Sequence, residues 1–322
     1  MYFCILIEQN ISVIDLILYI LIFVVSLALL IKASDIFVTS AEKIGLALGV
    51  SPFIIGVTIV AFGTSLPELA TSIASVYAGS SEIVIGNVVG SNITNILLII
   101  GVVAIVGKGI DLNYNIMEID MPLLISSALL MWFALMDGKI DYFEVGLFLS
   151  ALAVFLLYSI RKKRIEVVDD KKLKPSYFIW LVVSGVLIYF SADYVIYGLK
   201  GIAEGMNIDE AVISLGALAL GTSLPELVVS LAAIRRKNHS IAVGNVVGSN
   251  IFNTYGVLGV ASLFGELEIP PDILRYSIPM MLGVTIMFAF VILLKKVSEW
   301  EGYILLIFYI FFLYSLGHLG MG

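Results

Sequence analysis

Two glutamates lie inside apolar segments of the chain, at matched positions of an internal repeat. The motif GTSLPEL occupies residues 63–69 and again 221–227, so Glu68 and Glu226 stand 158 positions apart. An ionised carboxylate in an apolar interior costs several kcal/mol unless a cation or hydrogen-bond donors meet it. For one copy alone, a kinked helix with a protonated or hydrogen-bonded glutamate is a good alternative. Because the glutamate occurs in both copies, we interpret the pair as a candidate cation site.

Each GTSLPEL motif surrounds its glutamate with oxygen donors. Pro67 directly precedes Glu68, and since proline cannot donate a backbone hydrogen bond within a helix, it predicts a break that frees carbonyl groups. The side chains of Thr64, Ser65 and Glu68 are spaced to share one helix face. The matched residues of the second copy are Thr222, Ser223, Pro225 and Glu226. Carboxylate, hydroxyl and carbonyl oxygens suit Ca²⁺ and Na⁺ rather than Zn²⁺ or Cu²⁺.

A second repeated motif, GNVVGSNI-x-N, predicts a polar stripe along another helix. Its members recur every four residues and therefore share a face. They are Asn87, Ser91 and Asn95 in the first copy and Asn245, Ser249 and Asn253 in the second. We expect the serines and the last asparagine of each copy to contact the ion, whereas ligation and a structural role are equally supported for the first asparagine. Asn92 and Asn250 point off the stripe and predict hydrogen bonds between helices, and the glycines predict close helix packing.

Composition places these motifs in a membrane. Of the 322 residues, 60% are hydrophobic and 13% are charged, which is typical of a chain with many membrane spans. The first apolar segment lacks a basic leader, so we interpret it as a retained helix rather than a signal peptide. A single cysteine excludes an internal disulfide, and two histidines argue against a transition-metal site. The ten apolar segments long enough to cross a bilayer are 13–31, 52–79, 83–107, 115–136, 141–160, 176–199, 208–234, 239–264, 272–294 and 300–317.

The distribution of basic residues predicts the orientation of the spans. With ten spans, 15 of the 18 Lys and Arg residues fall on one side of the membrane, and only Lys139, Lys200 and Arg275 fall on the other. Positively charged loops stay in the cytoplasm. We therefore expect a multi-pass protein of the cell membrane with both termini extracellular. The lipid bilayer then surrounds the protein, and we expect no nucleic-acid partner.

Five spans separate the matched motifs, so the two halves of the chain enter the membrane in opposite senses. The sequence therefore predicts an all-α membrane protein of ten transmembrane helices, arranged as two inverted-topology five-helix repeats. The first repeat covers residues 1–160 and the second 176–322, joined by a charged cytoplasmic linker at 161–175. In such folds the substrate site lies near the bilayer midplane, where the halves meet.

Two carboxylates that face one site favour ion exchange. They neutralise one Ca²⁺, and the same oxygens can hold Na⁺ after Ca²⁺ leaves, so full occupancy by one ion excludes the other. A site that opens to one side at a time, and crosses only when its charges are compensated, gives obligatory antiport. A Ca²⁺ channel is the main alternative of another class. An enzyme is disfavoured, because the serine of GTSLPE lacks the closing glycine of a nucleophile elbow. We expect no cofactor besides the transported ions.

The paired GTSLPE and GNVVGSN segments resemble the alpha repeats of the cation/Ca²⁺ antiporter superfamily, in particular those of prokaryotic Na⁺/Ca²⁺ exchangers. The ten-span layout extends the resemblance over the chain, and it implies a core of spans 2, 3, 7 and 8 across which spans 1 and 6 slide. The Ca²⁺ ligands that it implies are Glu68, Glu226 and the carbonyls of Thr64 and Thr222. The Na⁺ ligands that it adds are Ser65, Ser91 and the Ala61 carbonyl in one half, and Ser223, Ser249 and the Ala219 carbonyl in the other.

The resemblance places Asn95 beside the central site and Asn253 where several relatives, including K⁺-dependent ones, carry Asp. With Asn at this position only two acidic groups face the centre, which argues against a K⁺ requirement. The H⁺-coupled branch usually has a carboxylate at the position of Gly90, which argues against H⁺ coupling. A Ca²⁺/H⁺ or K⁺-dependent exchanger of the same fold stays open as an alternative, and Mg²⁺ or Mn²⁺ also suit oxygen ligands. A monomer is compatible with the sequence.

Overall fold

The computed structural model describes residues 13–112, 116–117, 120–161, 173–206, 221–267 and 269–319. Most of its regular structure is α-helical. In chain order the α-helices are α1 (Val13–Ala47), α2 (Pro52–Ile55), α3 (Ala61–Thr64), α4 (Leu66–Tyr77), α5 (Ser81–Thr94), α6 (Gly101–Val106), α7 (Asp120–Ala134), α8 (Tyr142–Arg161), α9 (Pro175–Gly205), α10 (Leu224–Arg235), α11 (His239–Phe252), α12 (Leu258–Ala261), α13 (Ile278–Val291) and α14 (Glu299–Leu319).

Short segments of other geometry complete the described chain. Its π-helical segments are π1 (Gly56–Val60), π2 (Asn95–Ile100), π3 (Asn253–Val257) and π4 (Ile273–Ser277). One antiparallel pair joins β1 (Ile110–Asp111) to β2 (Lys296–Val297) at an end of the bundle. The fold is therefore mostly helical, with a two-stranded clip that the sequence analysis did not predict.

Seven helical stretches of the described residues are long and apolar enough to cross a membrane. They are Ile14–Ala47, Pro52–Tyr77, Glu82–Val106, Tyr142–Ser159, Pro175–Gly205, Ile273–Val291 and Glu299–Leu316. These stretches confirm a multi-pass helical membrane protein. The predicted fourth span contains the shorter α7, and the eighth contains the stretch from α11 to α12. Part of the predicted seventh span, residues 208–220, lies outside the described residues.

Two helices extend past the ends that hydropathy predicts. α1 ends at Ala47 rather than near residue 31, because no proline or glycine interrupts residues 32–44. Lys32 and Asp35 therefore lie within a helix, not at its end as the apolar pattern predicts. At about 1.5 Å per residue, α1 is roughly 50 Å long, which exceeds the ~30 Å hydrocarbon core and requires tilt or protrusion. α9 likewise continues to Gly205 rather than stopping near residue 199.

The helices that carry the two repeated motifs form the centre of the bundle. α11 lies against α2, π1 and α3, while α10 packs on α11 and α4 packs on α5. Within the 18-residue apolar stretch of each span, 56% of the residues are buried in Pro52–Tyr77 and 78% in Glu82–Val106, against 11% in Ile14–Ala47 and 28% in Pro175–Gly205. α1 and α9 pack along each other outside this centre. The motif side chains are therefore held inside protein rather than turned toward lipid.

Candidate cation site

Both glutamates lie in the first turn of a helix, and a residue of non-helical geometry directly precedes that helix. Ser65 separates α3 from α4 with φ −91° and ψ 5°, and Ser223 precedes α10 with φ −87° and ψ 1°. Pro67 and Pro225 occupy the first turn of the following helix, where the missing N–H costs nothing. The predicted break is therefore present in both motifs. Each carboxylate lies near the positive end of a helix dipole, which favours a negative charge there.

The carboxyl groups of Glu68 and Glu226 are fully buried and close enough to interact electrostatically. Ser65 Oγ donates to Glu226 Oε1 at 3.2 Å, and this bond joins the two repeats. No described residue donates a hydrogen bond to either oxygen of Glu68 or to Oε2 of Glu226. An unpaired buried acceptor costs about 1–3 kcal/mol, and more when charged. These three oxygens are suited to a ligand of positive charge.

Thr64 links the first GTSLPEL motif to α11 of the other repeat. Its hydroxyl lies 3.2 Å from Asn245 Oδ1 and 3.5 Å from Ser249 Oγ. Asn245 Nδ2 in turn donates to the backbone carbonyl of Glu226 at 3.3 Å. The first threonine and the second polar stripe therefore meet beside a glutamate.

Thr222 makes the repeat-matched contact with α5. Its Oγ1 donates to Asn87 Oδ1 at 3.0 Å, and the hydroxyl oxygens of Thr222 and Ser91 share a hydrogen bond at 3.1 Å. In both places the GTSLPEL motif of one repeat binds the GNVVGSN motif of the other. The motifs that the sequence analysis selected thus come together in space.

Two serines that the sequence analysis missed hold the asparagines of the stripe. Asn245 Nδ2 donates to Ser230 Oγ at 3.0 Å, and Asn87 Nδ2 donates to Ser72 Oγ at 3.3 Å. Ser72 and Ser230 are repeat-matched and lie one helical turn after the glutamates, so the repeat alignment itself contained the signal. The amide groups of Asn87 and Asn245 have protein partners on both ends, which favours a positioning role for them.

Asn95 and Asn253 are fully buried and begin the π-helical segments π2 and π3. π3 packs against α4, which carries Glu68, and π2 packs against α10, which carries Glu226. Asn95 Nδ2 donates to Asn250 Oδ1 at 2.9 Å. Among the described residues, neither Asn95 Oδ1 nor either amide atom of Asn253 has a hydrogen-bond partner. π-Helical turns occur often at functional sites, and here they bring two further buried oxygens to the helices of the glutamates.

Asn92 and Asn250 form hydrogen bonds between helices, which confirms the prediction from their position off the stripe. Asn92 Nδ2 donates to Thr254 Oγ1 at 2.9 Å. Asn250 Nδ2 donates to the backbone carbonyl of Asn92 at 3.1 Å. These bonds tie the two GNVVGSN helices to each other beside the glutamates.

A cavity of about 320 Å³ reaches one of the two places where the motifs of the two repeats meet, from the end of the bundle that carries Glu82 and Pro270. Asn87, Ser91 and Thr222 line its inner part. The repeat-matched residues have no such exposure. Asn245, Ser249 and Thr64 are 0%, 0% and 1% exposed. The two clusters of motif residues therefore differ in access, although their sequences match.

Repeat-matched glycines account for much of this difference. A Cβ atom on Gly248 would lie 2.3 Å from the Val57 carbonyl oxygen and 2.7 Å from Ala61 Cβ. Only glycine allows α11 to approach π1 so closely. A Cβ atom on Gly90, the matched glycine of α5, meets no described atom within 4 Å. Among the described residues, α11 is thus packed closely against π1 at Gly248, whereas Gly90 on α5 borders the cavity.

Comparison with known proteins identifies the family. The model of the sodium/calcium exchanger protein family matches residues 18–161 and 176–317. This chain belongs to that family. The sodium/calcium exchanger MaX1 of Methanosarcina acetivorans is 34% identical over 91% of this chain and 97% of its own length. The inner membrane protein YrbG of Escherichia coli is 32% identical over 83% of this chain and 86% of its own length.

The fold of this family member also matches a solved exchanger. The sodium-calcium exchanger NCX_Mj, soaked with 10 mM Na⁺ and no Ca²⁺, has a TM-score of 0.80 and 32% sequence identity. The match covers 94% of this chain and 99% of that protein. Further structures of NCX_Mj, which concern extracellular ion exchange and occlusion of the binding site, were obtained with Na⁺ together with Ca²⁺ or Sr²⁺.

The structure describes only some of the ligands that the family resemblance implies. Ala61 is buried, and its carbonyl already accepts from Ser65 N at 3.0 Å, while Thr64 Oγ1 lies 3.2 Å from it. Ser223 is 3% exposed at the start of α10. The predicted ligand Ala219 lies outside the described residues. In the described ranges, no three His, Cys, Asp or Glu side chains are placed so that they could hold a metal ion together.

Proposed function

We propose that this chain is a secondary active antiporter that exchanges Na⁺ for Ca²⁺ across a membrane by alternating access at a shared site. The observation that carries the proposal is the pair Glu68 and Glu226. They are fully buried and near each other, and they leave three carboxylate oxygens without a hydrogen-bond partner among the described residues. Membership of the sodium/calcium exchanger family supports the same reaction.

The proposed division of ligands follows from charge and ligand type. Ca²⁺ takes six to eight oxygens and prefers carboxylates, so it binds between Glu68 and Glu226 with carbonyl oxygens of the two broken helices. Na⁺ replaces it at the same carboxylates with hydroxyl ligands. The hydroxyl groups that we assign to Na⁺ are those of Ser65, Ser91, Ser223 and Ser249, with the Ala61 and Ala219 carbonyls. Asn95 and Asn253 supply the remaining polar side chains beside the ions.

Shared carboxylates couple the two ions. An empty site would carry two negative charges through an apolar interior, at a cost of several kcal/mol. Crossing is therefore restricted to states in which Ca²⁺ or Na⁺ neutralises both groups. A continuous pore would bypass this restriction, whereas the closed packing at Gly248 and the opening at Gly90 fit a site with access from one side at a time.

We further propose ten spans in two inverted repeats, with both termini outside. The cross-repeat hydrogen bonds at Thr64 and Thr222 support a two-fold arrangement about the glutamates. A backbone contact also supports the grouping of loops that the ten-span layout predicts. Ile269 N donates to the Gly138 carbonyl at 3.0 Å, which groups the loops that the sequence places outside. Glu82 and Pro270 line the cavity, so the arrangement described is open to the proposed outer side.

Replacement of external Na⁺ tests the reaction itself. Vesicles reconstituted with the purified chain and loaded with Na⁺ should take up ⁴⁵Ca²⁺ when the external Na⁺ is replaced by choline. We expect uptake to vanish without an internal Na⁺ load, because the site then has no ion to return. Uptake driven instead by an H⁺ gradient would support a Ca²⁺/H⁺ exchanger. A requirement for K⁺ would support a K⁺-dependent Na⁺/Ca²⁺ exchanger. Conductance without a counter-ion would indicate a channel.

We propose that Glu82 concentrates cations at the entrance of the cavity. Its carboxylate is exposed and lines the same cavity as Asn87 and Ser91. We expect Glu82→Gln to raise the external KM for Ca²⁺ about three-fold with little change in maximal rate, because a negative wall raises the local cation concentration. The difference should shrink at high ionic strength. Glu266→Gln, which removes an exposed charge that does not line the cavity, is the control. An unchanged KM, or an effect insensitive to salt, would contradict this role.

A further inference from the structure

An apolar groove of about 710 Å³ lies between α9 and the core of the bundle, apart from the ion cavity. Its volume falls within the range of about 300–1,000 Å³ that is usual for small-molecule sites. α9 forms one wall. The other wall is formed by π1 and by residues 62–67, where the helix is interrupted before Glu68. Residues on its surface include Phe37, Phe62, Pro67, Leu156, Gly185 and Tyr189.

Among the described residues that line this groove, few polar groups are free to bind water. The threonine hydroxyls on its wall face oxygens within the protein. Thr58 Oγ1 donates to the Ile54 carbonyl at 2.5 Å, and Thr64 Oγ1 faces the Ala61 carbonyl and Asn245. A cavity needs two to four polar partners to hold a water molecule. The groove therefore requires an apolar occupant.

The groove opens toward the hydrocarbon of the membrane. Its rim includes side chains of membrane-spanning helices that the protein leaves 44–65% exposed, namely Phe62, Leu66, Val182, Val186 and Phe190. At about 1.5 Å per residue, Gly185 lies roughly 15 Å along α9 from Pro175. This distance is about half of the ~30 Å hydrocarbon thickness. The groove thus extends within one leaflet, from the basic end of the bundle toward the midplane.

Glycine at position 185 opens the groove. A Cβ atom there would lie 3.5 Å from Phe37 Cε2, an ordinary contact, so a larger side chain would project into the groove without a clash of backbone. The repeat-matched position on α1 is Leu27. The difference shows that an α1–α9 helix pair of this kind accepts a side chain at that place. Gly185 is therefore not dictated by packing between helices.

We propose that this groove binds one acyl chain of a bilayer lipid, from the leaflet at the basic end of the bundle. The chain enters between α9 and α8, follows residues 181–190, and ends against Gly63, Pro67 and Pro225, behind the broken helices of the ion site. Dispersion contacts with the aromatic and aliphatic walls hold it. This site is separate from the proposed ion exchange and does not depend on it.

Photolabelling of the full chain in liposomes tests the proposal. The probe is a phosphatidylcholine with a diazirine near the end of one acyl chain, and the crosslinks are mapped by mass spectrometry. We expect more labelling of residues 181–190 than of residues 303–311, which are also lipid-facing in α14. Gly185→Phe should remove this excess, because its ring fills the groove. Val183→Phe, on the same helix but outside the groove, should retain it.

A second variant distinguishes a filled groove from a misfolded protein. Ala70→Phe fills the groove from the opposite wall and should remove the same excess labelling, while a cooperative melting transition in detergent without ions shows that each variant is folded. Equal labelling of residues 181–190 and 303–311 in the unmodified chain would overturn the proposal. So would labelling that persists at residues 181–190 in both groove variants. Labelling is measured without transport, so a failed ion-exchange assay does not affect this result.

Discussion

Neutralising either buried glutamate is expected to reduce Ca²⁺ exchange at least about a hundred-fold. Removal of one partner from a buried charged interaction costs about 3–5 kcal/mol, and each 1.4 kcal/mol is a factor of ten. Glu68→Gln and Glu226→Gln keep the size of the side chain and remove one of the two charges that Ca²⁺ requires. Ca²⁺ flux into Na⁺-loaded vesicles measures the loss.

Stability separates this effect from misfolding. The carboxylate of Glu68 lacks a hydrogen-bond donor among the described residues, so glutamine removes an unpaired buried charge and should leave the melting temperature without Ca²⁺ unchanged or raised. Ca²⁺ should no longer raise it. Glu204→Gln, an exposed carboxylate near the end of α9, should retain both exchange and Ca²⁺ stabilisation. Normal exchange by either buried variant would refute the shared site.

Two repeat-matched glycines should respond differently to the same methyl group. In Gly248→Ala the new Cβ meets the Val57 carbonyl oxygen at 2.3 Å, so α11 must move away from π1. Overpacking of this kind costs about 1–3 kcal/mol. In Gly90→Ala the new Cβ lies on the wall of the cavity and meets no atom of the described residues within 4 Å. We expect a lower melting temperature for Gly248→Ala and an unchanged one for Gly90→Ala, measured in detergent without ions.

Exchange should nevertheless fall about ten-fold or more in both variants, which corresponds to at least 1.4 kcal/mol. If the site alternates, α5 must close at Gly90 in the opposite state just as α11 closes at Gly248 in this one. Gly90→Ala should therefore keep Ca²⁺ binding and lose turnover. Full turnover by Gly90→Ala would argue that the two repeats do not exchange roles.

The sequence repeat predicted that the two halves of the chain meet around the matched motifs, but it did not predict the individual contacts. Thr64 reaches Asn245 and Thr222 reaches Asn87 in the same way. The burial of both glutamates beside hydroxyl groups agrees with the sequence analysis, and cation binding by these groups stays a prediction. The serines below the stripe, Ser72 and Ser230, were missed although the repeat alignment contains them.

Other features could not be read from the repeat. The exposure of Asn87 and the burial of Asn245 depend on how far two helices stand apart, and identical motifs contain no information about that distance. The π-helical turns at Asn95 and Asn253 depend on packing against α10 and α4. The apolar segment 13–31 underestimates the length of α1 because hydropathy falls at Lys32, whereas helix propensity allows the helix to continue to Ala47.

The position of bound Ca²⁺ tests the central claim most directly. Anomalous diffraction from crystals grown with Ca²⁺ and without Na⁺ should show one strong peak between Glu68 and Glu226, with ligand oxygens of both at about 2.3–2.6 Å. Added Na⁺ should remove this peak. A Ca²⁺ peak that contacts neither glutamate, or one that persists at saturating Na⁺, would contradict a carboxylate site that the two ions share.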